Sequence, residues 1–235
     1  MKWDWIGRNV VTLTQAPKTE SKPPPSFTQE QAKALLASFH GHSMEGLLTV
    51  LLGLGLRLGE VLGLRWEDVQ LSEDGTGGTI TIQVQLQKIE GEYRLVPPKS
   101  KTSRRGISLP PFVAKALVRE RERQKEWEVL WTLDGTGNTL GLVFPTQNGT
   151  PRGERNVRRD FTVLLEKAGL TQIRMHDLRH LCASLLLSQG VPARVVMEIL
   201  GHSQISLTMN TYSHVMPGAT EAAAKAMQKL FDTES

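Results

Sequence analysis

Five consecutive residues in the last third of the chain carry the side chains best suited to chemistry. The run His176-Asp177-Leu178-Arg179-His180 brings two imidazoles, a carboxylate and a guanidinium together. Leucines within and after it recur at helical spacing, which predicts that the run opens an amphipathic helix. Residues three apart are neighbours on a helix, so His176 and Arg179 share a face. Because a guanidinium presents a planar fork of donors to phosphate oxygens, this pair predicts a phosphate-binding clamp.

A metal site is the alternative use of the same run. His176 and His180 are spaced as zinc ligands often are on a helix, but the segment lacks the glutamate of a His-Glu-x-x-His motif. No third ligand is evident from the sequence. We therefore predict no metal here and no cofactor.

The chain has an ordinary globular composition with a mild excess of positive charge. Its 235 residues are 39% hydrophobic and 22% charged, with a net charge of +4, and this length suits one large or two small domains. The charge favours a polyanionic partner without identifying one. Cys182 is the only cysteine, which excludes an internal disulfide and suits a reducing cytoplasm. No membrane span and no secretory leader are expected.

Helical patterns predominate, and they predict a mainly α (α+β) fold. Thr28 and Gln31 form a capping-box pattern that starts a first helix. The glycine-rich stretch at residues 53–60 lacks the third glycine of a dinucleotide-binding fingerprint and follows a helix, so that interpretation is rejected. Further helices are predicted over residues 44–54, 156–168, 195–200 and 219–231. Three more are predicted by one bound each: a short helix that ends near Leu64, a helix that begins after Pro111 and a helix that begins at His176.

Three short segments predict a small three-stranded antiparallel sheet. Residues 79–86 alternate polar and apolar, as a half-buried strand does, and residues 93–96 and 106–109 favour two more strands. The basic stretch between them, residues 97–105, is predicted to be a loop or hairpin. Charges of alternating sign at residues 119–128 favour a solvated helix face supported by ion pairs over a DNA-binding stripe.

The amino-terminal residues predict a segment outside the main domain. Residues 1–16 contain two tryptophans and resemble the tail of a preceding segment. Residues 17–25 are polar and proline-rich, which is typical of an extended linker. The domain boundaries are therefore expected at 1–25 for tail and linker and at 26–235 for the main domain.

Three sequence blocks stand in a fixed order along the main domain. They are residues 55–69, which include Arg57 and Glu60, then His176-Asp177-Leu178-Arg179-His180, then Leu200-Gly201-His202-Ser203 followed by Thr208 and Tyr212-Ser213-His214. Together with the basic hairpin, these blocks resemble the catalytic boxes of the tyrosine recombinase (phage integrase) family. The resemblance covers roughly residues 26–214 and implies the helical catalytic domain of that family.

The resemblance implies a role for each matching residue. Arg57 and Arg179 correspond to the two arginines that bracket the scissile phosphate, and His176 to a proton-transfer and phosphate-positioning group. His202 corresponds to the histidine that donates to the phosphate, and Tyr212 to the nucleophile that becomes joined to a DNA 3′ phosphate. A hairpin lysine protonates the departing 5′ oxygen in this family. Lys101 is the first choice for it and Lys99 the second.

The resemblance also implies supporting residues and partners. Glu60, Asp177 and His180 are expected to hold the clamp in place, and Lys99, Arg104 and Arg105 to contact DNA. The expected partner is double-stranded DNA, bound by a homo-oligomer (a tetramer) that exchanges the C-terminal helix at residues 219–231. The alternative for that helix is that it folds back on its own domain.

The chemistry needs neither metal nor ATP. Fixed cationic donors stabilise the charge that develops on an attacked phosphodiester. A phenol with a pKa near ~10 needs help to lose its proton, and the alkoxide leaving group needs an acid. Two alternatives stay open: a type IB topoisomerase, which rejoins the same strand, and a non-catalytic DNA-binding remnant. The DNA-clamping domain that precedes the catalytic domain in this family is expected to be missing from this chain.

Overall fold

The mainly helical fold predicted from sequence is confirmed. The computed structural model describes residues 28–98, 103–134 and 137–201, and within these ranges it contains seven α-helices and five β-strands. The helices are α1 (Gln29–Ser38), α2 (Glu45–Leu54), α3 (Leu58–Leu62), α4 (Pro111–Asp134), α5 (Glu154–Lys167), α6 (Asp177–Ser188) and α7 (Ala193–Leu200). The strands are β1 (Val69–Leu71), β2 (Gly78–Ile82), β3 (Gln85–Ile89), β4 (Glu92–Val96) and β5 (Arg105–Ser108).

The first two helices begin and end as their sequences predict. The Thr28 hydroxyl accepts from the Gln31 backbone N–H at 3.2 Å, and the Gln31 side chain accepts from the Thr28 N–H at 2.8 Å. This reciprocal pair satisfies two donors at the start of α1. Helix α2 ends at Gly55, which adopts the left-handed conformation with φ of 60°. That conformation turns the chain sharply towards Arg57.

Helix α2 is the centre of the core. Almost every residue of α2 is buried, and the helix contacts α3, α4 and α6. A helix that is apolar on all sides requires neighbours on all sides. Because α2 leads directly into α3 and lies against α6, this packing brings the first and second sequence blocks together.

The strands form two small antiparallel units. Strands β1, β2 and β5 form a sheet in the order β1-β2-β5, and β3 pairs with β4 in a separate hairpin. The hairpin turns through Glu90 and Gly91, which have φ of 52° and 89°. Positive φ at both central residues is what a two-residue type I′ turn requires.

The prediction of one strand over residues 79–86 is wrong, because two strands share that stretch. Ile80 and Ile82 are buried in the β1-β2-β5 sheet, whereas Leu86 is buried beneath the β3-β4 hairpin. The chain leaves the first sheet at Gln83, whose side-chain amide donates to Asp68 at 2.8 Å. Strand β1 was not predicted; its three residues are too few for a clear alternation.

The charged run of α4 is only partly the solvated face that its pattern predicts. Lys125 and Glu122 do form an exposed ion pair at 2.9 Å. Glu120 and Gln124, however, are each 3% exposed. Gln124 accepts from the Trp66 indole at 3.0 Å and donates to the Val143 carbonyl at 2.6 Å. One side of the run therefore faces the interior, where both polar atoms of the Gln124 amide are hydrogen-bonded.

Several predictions fall outside the described residues. These are the tail and linker at residues 1–25 and the helix at residues 219–231. No helix among the described residues is long and apolar enough to cross a membrane.

Candidate active site

Arg57 lies at the turn between α2 and α3, where three backbone segments meet. Its side chain donates to Glu60 at 2.9 Å and to the Gly201 carbonyl at 3.1 Å. Its backbone N–H donates to the other Glu60 carboxylate oxygen at 2.9 Å. The side chain is 39% exposed, so the guanidinium is held by the protein yet open on one side. This is the arrangement expected of an anion-binding arginine.

Glu60 is the buried carboxylate that orients the arginines around it. Its side chain is 1% exposed, and it accepts from Arg105 at 3.1 Å as well as from Arg57. Burial alone would raise the pKa of Glu60, but the hydrogen bonds and charge of Arg105, and then of Arg57, outweigh burial and lower the pKa. Glu60 is therefore a charged acceptor that fixes both guanidinium groups.

Arg179 connects the second sequence block to the first. This residue of α6 is 3% exposed, and its guanidinium donates to the Gly55 carbonyl at 2.7 Å. Gly55 lies two residues before Arg57, so Arg179 contacts the turn that presents Arg57. The two arginines predicted to act together do lie in neighbouring elements.

His176 and His180 pack against each other at the start of α6. Their ring centroids are 4.9 Å apart with an interplanar angle of 87°. Partial burial of the ring, followed by the charges of His180 and Arg179, lowers the pKa of His176 to about 4. The residue as a whole is still exposed to solvent. Burial also lowers the pKa of His180. At neutral pH both imidazoles are thus neutral, and a neutral ring can accept a proton.

Asp177 supports the site through the turn that precedes α6. It is 3% exposed and accepts from the Arg174 backbone and guanidinium, both at 2.8 Å. Burial would raise the pKa of Asp177, but its bonds to Arg174 outweigh burial and lower it. The carboxylate closes the turn from Arg174 to Asp177 and so sets the position of His176 within it.

A cleft of about 550 Å³ opens over Arg57, Glu60 and His176. Its other walls come from β3, from the first turns of α5 and from Pro98 and Ser103, which flank residues 99–102. Arg179 and His180 do not line the cleft; Arg179 donates to the Gly55 carbonyl and His180 packs against His176. Four predicted catalytic residues or alternatives, namely Lys99, Lys101, His202 and Tyr212, lie outside the described residues.

The two arginines predicted to contact DNA have different environments. Arg104 is exposed. Arg105, in contrast, is directed inward: its side chain is 7% exposed and pairs with Glu60. Its donors are used within the protein, on Ile199, Ser103 and Glu60, whereas a DNA contact remains a prediction. Adjacent basic residues in a loop give no signal that separates an inward arginine from an outward one.

Sequence reasoning also missed the far wall of the cleft. Glu154 and Arg158 of α5 line it and form an exposed ion pair at 3.1 Å. Their spacing of four residues predicts a pair on one helix face, but nothing in the sequence indicates that this face meets Arg57. Within the described ranges, no three His, Cys, Asp or Glu side chains converge as metal ligands would.

The fold and the cleft define a mainly helical α+β domain with a cleft lined by arginine and histidine side chains. The phage integrase family matches residues 25–218, and the chain belongs to that family. The tyrosine recombinase XerC-like protein of Caldanaerobacter subterraneus subsp. tengcongensis is 31% identical over 217 residues, which cover 88% of this chain and 54% of that protein. The ICEBs1 integrase of Bacillus subtilis is 28% identical over 180 residues, 75% of this chain and 46% of that protein.

Solved structures share the fold. The Tn1549 transposon integrase in complex with transposon right end DNA has a TM-score of 0.72 at 23% identity, over 97% of this chain and 71% of that one. XerH bound to palindromic difH substrate has a TM-score of 0.61 at 23% identity, over 88% and 54% of the two chains. The present chain spans about half the length of the two curated relatives named in the preceding paragraph.

Proposed function

We propose that this chain carries the catalytic domain of a tyrosine site-specific recombinase, which cleaves and rejoins double-stranded DNA. The observation that carries the proposal is the Arg57 guanidinium, which lies open in a cleft with His176 and donates to the Gly201 carbonyl at 3.1 Å. Gly201 directly precedes His202 in the sequence, which supports a role for the third block at this cleft. The names of the relatives, recombinases and integrases, support the same activity.

The proposed reaction divides its tasks among these residues. The Tyr212 oxygen attacks phosphorus while Arg57, Arg179 and His202 stabilise the charge on the non-bridging oxygens. His176 is assigned the proton-transfer and phosphate-positioning role that its place in the second block implies. The tyrosine–phosphorus bond forms as the bond to the 5′ oxygen breaks, and Lys101 (or Lys99) supplies the proton to that oxygen. A 5′ hydroxyl of a partner strand then attacks the phosphotyrosine, forms the new phosphodiester and releases Tyr212. Because the tyrosine–phosphorus bond keeps the energy of the broken phosphodiester, no ATP is needed.

The walls of the cleft support the assignment of a lysine from residues 99–102. Pro98 and Ser103 both line the cleft. Lys99 directly follows Pro98, and Lys101 stands two residues before Ser103 in the sequence. This sequence position supports a lysine of residues 99–102 as the proposed acid.

The proposal includes DNA as substrate and further copies of the chain as partners. The Tn1549 integrase and XerH were solved with their DNA, and we extend DNA binding to this chain. The predicted tetramer on DNA and the exchange of the helix at residues 219–231 are part of the proposal. A cytoplasmic location is also part of it, because a chain with one cysteine suits a reducing compartment.

A suicide-substrate assay tests the proposal. Nicked DNA duplexes are prepared from the ends of the mobile element that the proposed recombinase would act on. They are incubated with the wild-type protein and with Tyr212→Phe, with chelator present. We expect a covalent protein–DNA band that survives denaturation in wild type and is absent from Tyr212→Phe. Loss of the band from wild type, with DNA binding intact, would favour a binding remnant.

Two further substrates separate recombination from topoisomerase activity. An added strand with a 5′ hydroxyl should be joined to the cleaved end, giving a product of new length. Supercoiled plasmid without recombination sites should stay supercoiled. Relaxation of such a plasmid without strand transfer would contradict the proposal.

A further inference from the structure

One buried guanidinium, that of Arg105 in β5, contacts helix α7 and the Glu60 carboxylate. Arg105, the first residue of β5, donates through Nε to the Ile199 carbonyl in α7 at 2.6 Å. Through its terminal nitrogens it donates to the Ser103 carbonyl at 2.8 Å and to Glu60 at 3.1 and 3.3 Å. Helix α7, the strand β5 and the carboxylate that orients Arg57 are therefore joined at a single side chain.

The burial of this contact fixes its geometry. The side chains of Arg105 and Glu60 are 7% and 1% exposed. Hydrogen bonds between ionised groups are stronger than neutral ones and are screened little when buried. The planar fork of arginine serves several acceptors in fixed directions, which the single ammonium of a lysine cannot reproduce. The contact is thus both strong and directional.

The end of α7 is shaped to fit this guanidinium. Gly201 has φ of +66°, and a Cβ added there would lie 2.8 Å from an Arg105 terminal nitrogen. The Gly201 carbonyl accepts from Arg57 at 3.1 Å. Arg105 and Arg57 therefore hold the last turn of α7 and the residue after it, and Glu60 links the two arginines.

We propose that Arg105 is a positioning residue for strand cleavage: it fixes the end of α7, where the segment carrying His202 and Tyr212 begins, against the Glu60–Arg57 pair. This inference rests on the proposed function. In this role Arg105 touches no DNA. It acts by setting the distance between the phosphate clamp and the part of the chain that follows Gly201.

The first test compares Arg105→Lys with the matched variant Arg65→Lys. Arg65 also pairs with a buried carboxylate, Asp68, at 2.8 Å, but away from the cleft. We expect Arg105→Lys to bind nicked DNA within about 2-fold of wild type. Its single-turnover rate of covalent complex formation should fall by a factor on the order of 10 or more, as small displacements of reacting groups cause. Arg65→Lys should cleave like wild type.

A second pair of variants covers the case in which Arg105→Lys does not fold. Gly201→Ala puts a methyl group against the Arg105 guanidinium, whereas Gly190→Ala, with φ of +79°, meets no atom within 4 Å. Both variants carry the backbone cost of a left-handed alanine. Only Gly201→Ala is expected to slow cleavage.

Hydrogen exchange without DNA gives a readout that does not depend on activity. Amides at residues 199–201 should exchange faster in Arg105→Lys than in wild type or Arg65→Lys. Unchanged exchange there, or wild-type cleavage by Arg105→Lys, would overturn the inference. Absence of cleavage by wild type would instead contradict the proposed function, and the exchange comparison would still decide whether Arg105 fixes α7.

Discussion

At the scale of single residues, Glu60 has the largest predicted effect on stability. Its carboxylate is 1% exposed and lies between two guanidinium groups. Removing its charge leaves Arg105 buried without its partner, which typically costs about 3–5 kcal/mol. We therefore expect Glu60→Gln to lower the free energy of unfolding by roughly that amount, measured by urea denaturation. Glu122→Gln, in an exposed pair with Lys125, should change it by less than about 1 kcal/mol; equal effects would contradict this account.

His176 gives a pH-dependent prediction at the same scale. Partial burial, then the charges of His180 and Arg179, lowers its pKa from 6.5 to about 4. The folded state thus binds this proton more weakly than the unfolded state, and protonation favours unfolding. Above pH 6.5 the ring is neutral in both states, so its titration does not lower the free energy of unfolding. As the pH falls from 6.5 towards about 4, the unfolded state takes up the proton first and the free energy of unfolding falls. His176→Asn should lose less stability than wild type across that window in denaturation series. A parallel pH dependence in both proteins would show that His176 contributes nothing.

Residue types predicted the clamp better than they predicted its support. Arg57 and His176 follow from their place in sequence blocks, and the structure puts both on one cleft. The resemblance implied that Arg105 contacts DNA, but its side chain is directed inward. Its inward orientation depends on Glu60 and Ile199, which are 45 and 94 residues away in the chain. Local composition carries no information about such distant acceptors.

At the scale of elements, the approach of α3 to the β3-β4 hairpin shapes the cleft. Gly63 follows α3, and a Cβ there would lie 2.6 Å from the Leu86 backbone nitrogen. We expect Gly63→Ala to force α3 and β3 apart, at a cost of about 1–3 kcal/mol for overpacking, measured by chemical denaturation. Gly106→Ala in β5 meets no atom within 4 Å and should be tolerated. Equal stability of the two variants would show that the contact relaxes without strain.

The separate pairing of β3 explains why the prediction of one strand over residues 79–86 was wrong. Periodicity over residues 79–86 was correctly alternating, since Ile80, Ile82 and Leu86 are all buried. Alternation shows that apolar side chains point inward, but it does not show which partner strand lies alongside. The pairing of β3 with β4, which puts Leu86 opposite Leu95, shows that the second half of the stretch belongs to the hairpin.

At the scale of the whole molecule, the described residues include a large and a small cluster of buried apolar side chains. The large one surrounds α2 and includes Leu117 of α4. A small one joins α6 to α7 through Ala183, Leu187, Val196 and Leu200. A small cluster opens more readily than a large one. Since α7 leads to the residues proposed to attack the phosphate, local opening there bears directly on the reaction.

The single cysteine reports this opening. Cys182 is 3% exposed, and burial raises the pKa of its thiol to about 12, so a thiol reagent reacts only when the protein opens. Leu200 and Cys182 both lie close to Gly55, where an added Cβ would be 2.6 Å from the Leu200 side chain and 3.2 Å from the Cys182 sulfur. We expect Leu200→Ala to speed Cys182 labelling in native buffer by at least about 10-fold, since such truncations cost about 2–5 kcal/mol. Leu117→Ala removes the same group from the large cluster and should speed labelling much less. Equal acceleration by both variants would instead show that the two clusters open together as one cooperative unit.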